Sequence, residues 1–161
     1  MEFKSVNKIF EASFKKNWVR PAISNYQGET LCFRDVARRM EKLHIMFEEC
    51  GLEKGHKVAI CSRNQANWAV AFLATMTYGA VPVPLLHEFK SANIHHLVNH
   101  SEAKILFVDE VIWEGLSESE MPEVQAIIQV NTFKILYAVD EKIYDAKIHL
   151  NELFGRKYPE A

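Results

Sequence analysis

Glycine loops that cradle phosphate are missing from this sequence. Six glycines are spread over 161 residues: Gly28, Gly51, Gly55, Gly79, Gly115 and Gly155. None falls into G-x-G-x-x-G or G-x-x-x-x-G-K-[ST], the spacings that bring backbone amides to a phosphate at a helix start. Gly51 and Gly55 bracket a loop, but that loop leads into a strand. Cysteine is equally sparse. Cys32, Cys50 and Cys61 make no C-x-x-C pair, so neither a zinc site nor a disulfide framework is expected, and a reducing cytoplasm fits. There is no G-x-S-x-G elbow, and a thiol in a setting such as Val58-Ala59-Ile60-Cys61 reads as inert core. Excess charge is also lacking. The net charge is −2, and the tightest basic cluster is Arg38-Arg39, so no nucleic-acid or acidic-membrane partner is expected.

Uninterrupted apolar runs are lacking too. The N-terminus, MEFKSVNKIFEASFKKNW, carries charges every few residues and does not read as a signal peptide. Gln65 to Leu86 has no Asp, Glu, Lys, Arg or His, about the length of a membrane-spanning helix. Gly79, Pro82 and Pro84 interrupt it, and each proline inside a helix would cost about 3 kcal/mol. A buried helix followed by a short strand accounts for the same residues.

What the chain does have is a regular alternation. From His56 to Asp109 it reads strand, helix, strand, helix, strand, the pattern of a mostly parallel sheet with helices on both faces. Val58-Ala59-Ile60-Cys61 is apolar without alternation, as in a strand covered on both sides. Ser62 and Asn64 are candidate caps for a helix over Gln65 to Tyr78. That helix is apolar nearly all round, which predicts burial between layers. Gly79 ends it. Val81-Pro82-Val83-Pro84-Leu85 is expected at a sheet edge, because proline has no donor. Ser91 to Asn99 is the next helix and Lys104 to Val108 the next strand.

The flanks are less regular. Val6 to Trp18 reads as a helix with an Ile9, Phe10, Phe14 stripe among Lys4, Lys8, Lys15 and Lys16, ended by Arg20-Pro21. Pro21 to Phe33 reads as a hairpin turning at Gln27-Gly28-Glu29. A helix from Arg34 to Cys50 buries Val36, Met40, Leu43, Met46 and Phe47, with Gly51 closing it. After Asp109 comes an acidic stretch anchored by Trp113 and Leu116. Strands follow at Ala126–Val130 and Lys134–Val139, then a helix from Asn151 to Tyr158. The predicted organisation is one partial domain over residues 1–161. It comprises an N-terminal helix and first strand (1–28), an α/β core (29–109) and a weakly defined extension (110–161).

Few constellations suggest chemistry. His87, His95, His96 and His100 cluster, and His96 and His100 share a helix face. Leu97, Val98 and Asn99 lie between them, so the H-E-x-x-H pattern lacks its Glu and no third ligand is evident. The pairs Asp109-Glu110 and Asp140-Glu141 read as ordinary turn residues.

Two segments carry a family resemblance. Leu31-Cys32-Phe33-Arg34-Asp35-Val36, followed by Gly51-Leu-Glu-Lys-Gly55-His-Lys57-Val-Ala-Ile, is similar to the first core motif of the adenylate-forming acyl-CoA synthetases (AMP-binding enzymes). Trp68 to Pro84, with its Gly79-Ala-Val-Pro turn, resembles the second. Asn93 to Val108 resembles the long-chain fatty-acid ligase branch. Cys32 stands where the family has Ser or Thr, Asp35 replaces Glu, and His56 replaces Asp. The resemblance implies the N-terminal portion of a fatty-acid CoA ligase, an incomplete subdomain whose partner is the remainder of the enzyme chain. The full-length enzyme would use ATP, Mg²⁺ and CoA on a fatty acid, in the cytoplasm or peripherally at a membrane. The family's ATP loop, adenine and Mg²⁺ segment, ribose-binding Asp and C-terminal Lys have no counterpart here. No catalytic, cofactor-binding or metal residue is therefore assigned. The piece alone is expected to be inactive, to hold no cofactor, and to self-associate through exposed core surface. The alternatives are a free-standing interaction module and, less well matched, a small nucleotide binder. A reading frame continuing past Ala161 into a Gly/Ser/Thr-Lys loop would separate the first from the second.

Overall fold

The computed structural model describes residues 5–161; the first four residues, Lys4 among them, lie outside that range. Its centre is a five-stranded sheet in the order β4-β3-β5-β6-β7. The strands are β3 (Lys57–Cys61), β4 (Val81–Leu85), β5 (Ala103–Val108), β6 (Ala126–Gln129) and β7 (Ile135–Ala138). β4, β3, β5 and β6 run parallel, and β7 pairs antiparallel to β6. A separate hairpin joins β1 (Pro21–Ser24) to β2 (Thr30–Cys32).

Successive side chains on a strand point to opposite faces, so the apolar runs of β3, β5 and β6 feed two cores. Val58, Ile60, Ile105, Phe107, Ala126 and Ile128 pack under α2 (Phe33–Glu49), α3 (Ala66–Tyr78), α6 (Glu141–Ile148) and α7 (Leu150–Lys157). Ala59, Cys61, Leu106, Val108 and Ile127 face α4 (Ser91–Ser101). The short α5 (Glu110–Glu114) and the turn after it bring Trp113 and Leu116 onto that second core, as anchors for the acidic stretch.

The prolines of β4 fit because it is an edge. Val81 donates its N–H to His56 O toward β3 (2.8 Å). Backbone groups alternate along a strand, so Pro82 and Pro84 turn their donorless nitrogens to the open side. Gly79 ends α3 at φ +96°, where any other residue would be strained. The start of α2 is held by the Asp35 carboxylate, which accepts the Cys32 N–H at 2.9 Å.

Three expectations need correction. α3 is not buried on every side. Val70, Ala71, Ala74 and Thr75 are buried, but Trp68, Phe72 and Leu73 are only half-buried, with the Trp68 and Phe72 rings stacked at 5.4 Å. At 13 residues it is about 20 Å long, short of the ~30 Å apolar core of a bilayer. Among the described residues, no helix is long and apolar enough to cross a membrane. Ser62 and Asn64 do not cap α3; Gln65 holds the cap position. In α1 (Val6–Asn17) no residue is fully buried, and Phe14 packs half-buried against the first core. Finally, Asp140-Glu141 is not a plain turn. Asp140 caps α6, its carboxylate accepting the Lys142 N–H at 3.0 Å, and α6 itself has no counterpart in the sequence reading.

Candidate functional site

In an open α/β sheet, ligands sit outside the carboxyl ends of the strands, where the strand order reverses. Here the chain leaves β3 for β4 on one side and crosses back to β5 on the other. The switch point therefore lies between β3 and β5, above Cys61-Ser62-Arg63 and Val108-Asp109.

That crevice is closed by the chain's own side chains. Asp109 accepts the Arg63 backbone N–H at 2.8 Å and the Gln65 side-chain amide at 3.3 Å. The Ala66 N–H, at the start of α3, donates to Asn25 Oδ1 of the hairpin turn at 2.8 Å. The buried Ser62 hydroxyl donates to Arg63 O at 2.8 Å. Beside it, Asn67 is 6% exposed. It donates to Asn131 O after β6 at 2.9 Å and accepts from Arg39 Nη1 of α2 at 2.8 Å. Arg39 Nη2 reaches Glu29 at 2.7 Å. Among the described residues, no buried side-chain polar atom lacks a partner.

The chemical consequence is specific. A phosphate at a helix start needs free N–H groups and no negative charge nearby. Here the Arg63 and Ala66 amides are engaged and a carboxylate occupies the switch point. Asp109, read as a turn residue, is thus the tie between β5 and the entry to α3. The contacts that make it so span 46 and 44 residues of sequence, beyond any local pattern.

The other candidates lie apart from this crevice. His87, His96 and His100 are exposed, and the last two stack at 5.9 Å. His95 instead accepts the Ser117 N–H at 3.0 Å. Among the described residues, no three His, Cys, Asp or Glu side chains gather around a common point. The three cysteines are free. Burial pushes the Cys50 thiol up to about 12 and, with Asp109 adding to it, the Cys61 thiol up to about 11, so neither is a ready nucleophile.

A second feature escaped the sequence reading. A cleft of about 580 Å³ opens between α1, α2 and α7, walled by Phe10, Phe14, Trp18, Met40, Phe154 and Tyr158. At its edge Glu41 accepts the Tyr158 hydroxyl, and His44 Nδ1 lies 3.6 Å from the Glu41 carboxylate. His44 Nε2 lies 2.9 Å from Ala74 O, an acceptor only, so that nitrogen carries a hydrogen. The His44 ring foremost, and the Tyr158 hydroxyl after it, hold the Glu41 carboxyl below its ordinary value against the opposing effect of burial. A carboxyl depressed in the folded state contributes stability above its unfolded pKa and loses it as pH falls through the folded value. Wild type is therefore expected to lose stability relative to Glu41→Gln below about pH 4, as read by urea midpoints across a pH series. A constant difference from neutral to acid pH would refute the role given to Glu41.

Comparison with known proteins agrees with this architecture. The model of the family described as AMP-binding enzyme matches residues 10–153. Surfactin synthase subunit 2 of Bacillus subtilis is 24% identical over 109 residues, 68% of this chain and 3% of that protein. Long-chain-fatty-acid–CoA ligase 6 of Mus musculus is 25% identical over 111 residues, 65% of this chain and 16% of that protein. The crystal structure of a long-chain-fatty-acid-CoA ligase from Archaeoglobus fulgidus superposes with a TM-score of 0.70 at 23% identity, over 87% of this chain and 29% of that one. The fold is thus that of the N-terminal subdomain of adenylate-forming enzymes, and the chain spans only a small share of these relatives.

Proposed function

The chain belongs to the AMP-binding enzyme family, and from that premise we propose that it forms the N-terminal α/β scaffold of an ATP-dependent ligase that converts a fatty acid to its CoA thioester. The observation that carries the reading is the family match over residues 10–153, which takes in the whole five-stranded sheet. The choice of a fatty acid rests on the likeness to the mouse ligase and on the segment Asn93–Val108.

In such an enzyme the acid's carboxylate attacks the α-phosphorus of ATP and pyrophosphate leaves. The CoA thiolate then takes the acyl group and AMP departs; a bound metal and cationic groups would balance the phosphate charge. The residues at the switch point do not fit a triphosphate: Asp109 stands there, and the amides beside it are engaged. No step is assigned to them; ATP, Mg²⁺ and CoA would be held by other parts of the protein. The chain's contribution is to hold the sheet and its helices in register. The remainder of the enzyme is its partner, in the cytoplasm or at a membrane surface. In isolation the exposed Val81 and Leu86 at the β4 edge favour self-association.

The likeness to relatives such as nonribosomal peptide synthetase gloA favours a second reading, in which the acid is an amino acid. ATP–pyrophosphate exchange by the complete protein separates the two. Exchange driven by fatty acids, with acyl-CoA formed, supports the first, and exchange driven by amino acids alone supports the second. No exchange with either class would sink the ligase reading. The 161-residue chain by itself is expected to catalyse none.

A further inference from the structure

On the α2 face of the sheet, past Asn67, a cavity of about 310 Å³ is bounded by α2, α6 and the turn between β6 and β7. Its floor is apolar, with Leu43, Met46, Ile128 and Leu150 among the residues that line it. Its rim is cationic. Arg39 and Lys42, one turn apart on α2, and Lys147 from the last turn of α6 all line it, and all three are half-buried. Glu29 is the one acid among the lining residues, and its carboxylate is engaged by Arg39 at 2.7 Å.

Among the described residues, neither lysine has an acid partner. Lys42 Nζ donates to the neutral Asn151 Oδ1 at 2.8 Å and lies 5.3 Å from the Phe154 ring centre. Among the described residues, Lys147 has neither a salt bridge nor a side-chain hydrogen bond; burial and the neighbouring Lys42 are what act on it, and they push its ammonium below the ordinary lysine value. Holding like charges together above an apolar floor is costly unless an anion joins them. Arg39 spends two of its N–H groups on Asn67 and Glu29 and has five in all. Asn131 and Thr132, exposed at the mouth, add polar groups of the kind that bind oxyanions.

We propose that this cavity is a binding site for a phosphate group, free or carried on a small molecule, held by Lys42 and Lys147 with Arg39 behind them. Two uncompensated ammonium groups match the roughly −1.5 to −2 charge of a phosphate monoester at neutral pH better than a single carboxylate. The site is separate from the crevice at Asp109 and stands whether or not the ligase reading does.

The test is the thermal stability of the 161-residue chain in inorganic phosphate or glycerol 3-phosphate, against chloride at equal ionic strength. Stabilisation should rise with concentration, as preferential binding to the folded state requires. Lys42→Gln and Lys147→Gln should each weaken the response about tenfold or more, the size of one charge-assisted hydrogen bond. Lys90→Gln, at the start of α4 on the other face, should leave it unchanged. A larger response to glycerol 3-phosphate identifies an organic phosphate, and an equal or larger response to the inorganic ion identifies the free anion. Amide NMR shifts should appear at Asn131 and Thr132. No phosphate-specific stabilisation, or the same stabilisation in all three variants, overturns the proposal.

Discussion

Phe47→Ala is expected to destabilise the fold by about 3–5 kcal/mol. Phe47 sits on the buried face of α2 and is fully inaccessible to solvent. Its ring meets Phe107 of β5 at 6.2 Å and Tyr78 of α3 at 5.4 Å, both edge-on. Phe107 continues the chain of contacts to Phe133 at 6.0 Å. One side chain therefore ties a flanking helix, the central strand and the crossover helix together. Its removal loses transfer free energy and leaves a cavity that three elements would have to close at once. A domain of this kind has about 5–15 kcal/mol in total, so the variant should be partly unfolded at physiological temperature. Urea denaturation gives the number. Phe47→Leu should cost clearly less, and a loss under about 1 kcal/mol for alanine would mean that α2 is not fastened through this ring.

Asp109→Ala is expected to cost about 1.5–3 kcal/mol, the range for a hydrogen bond to a charged group with its partner left unmade. The carboxylate joins the end of β5 to the Arg63 and Gln65 positions before α3. Asp109→Asn keeps one acceptor oxygen and should recover part of the loss. The local sign is hydrogen exchange at the Arg63 amide, which should accelerate in the alanine variant well before global unfolding. Equal protection in both proteins would show that Asp109 does not hold that turn.

These two residues differ in how readable they were. Phe47 follows from helical spacing along α2, and its burial is the expected one. The strands β3, β5 and β6 were legible for a similar reason: a strand covered on both faces must be apolar at consecutive positions. The family motifs fall in the same stretch because they are packing motifs. Asp109 was legible only as a polar residue after a strand, since its partners follow the neighbouring strand β3, more than 40 residues away in sequence. Asn25, which takes the Ala66 amide across 41 residues, is hidden in the same way. α6 was missed because only Ile143 and Ala146 are buried on it, too few to mark a period, and because an acidic pair at a helix start resembles one in a turn. α3 misled in the opposite direction. Its composition is that of an enclosed helix, yet Trp68 and Phe72 remain half open. The cleft with Glu41, His44 and Tyr158 depends on α7 returning to α2 across 117 residues, which no spacing rule can anticipate.

On the function proposed above, the crevice at the strand ends is sealed by Asp109 and Asn25, which occupy the Arg63 and Ala66 amides, and the chemistry of the family is supplied by other parts of the enzyme. Amide NMR of the 161-residue chain titrated with ATP·Mg²⁺ tests this directly, because it reports where binding occurs as well as whether it occurs. A sealed crevice predicts no saturable shift at Arg63, Gln65, Ala66 or Asp109, even if phosphate perturbs Asn131 and Thr132. Saturable shifts at those four amides would contradict it and would place nucleotide binding within this chain.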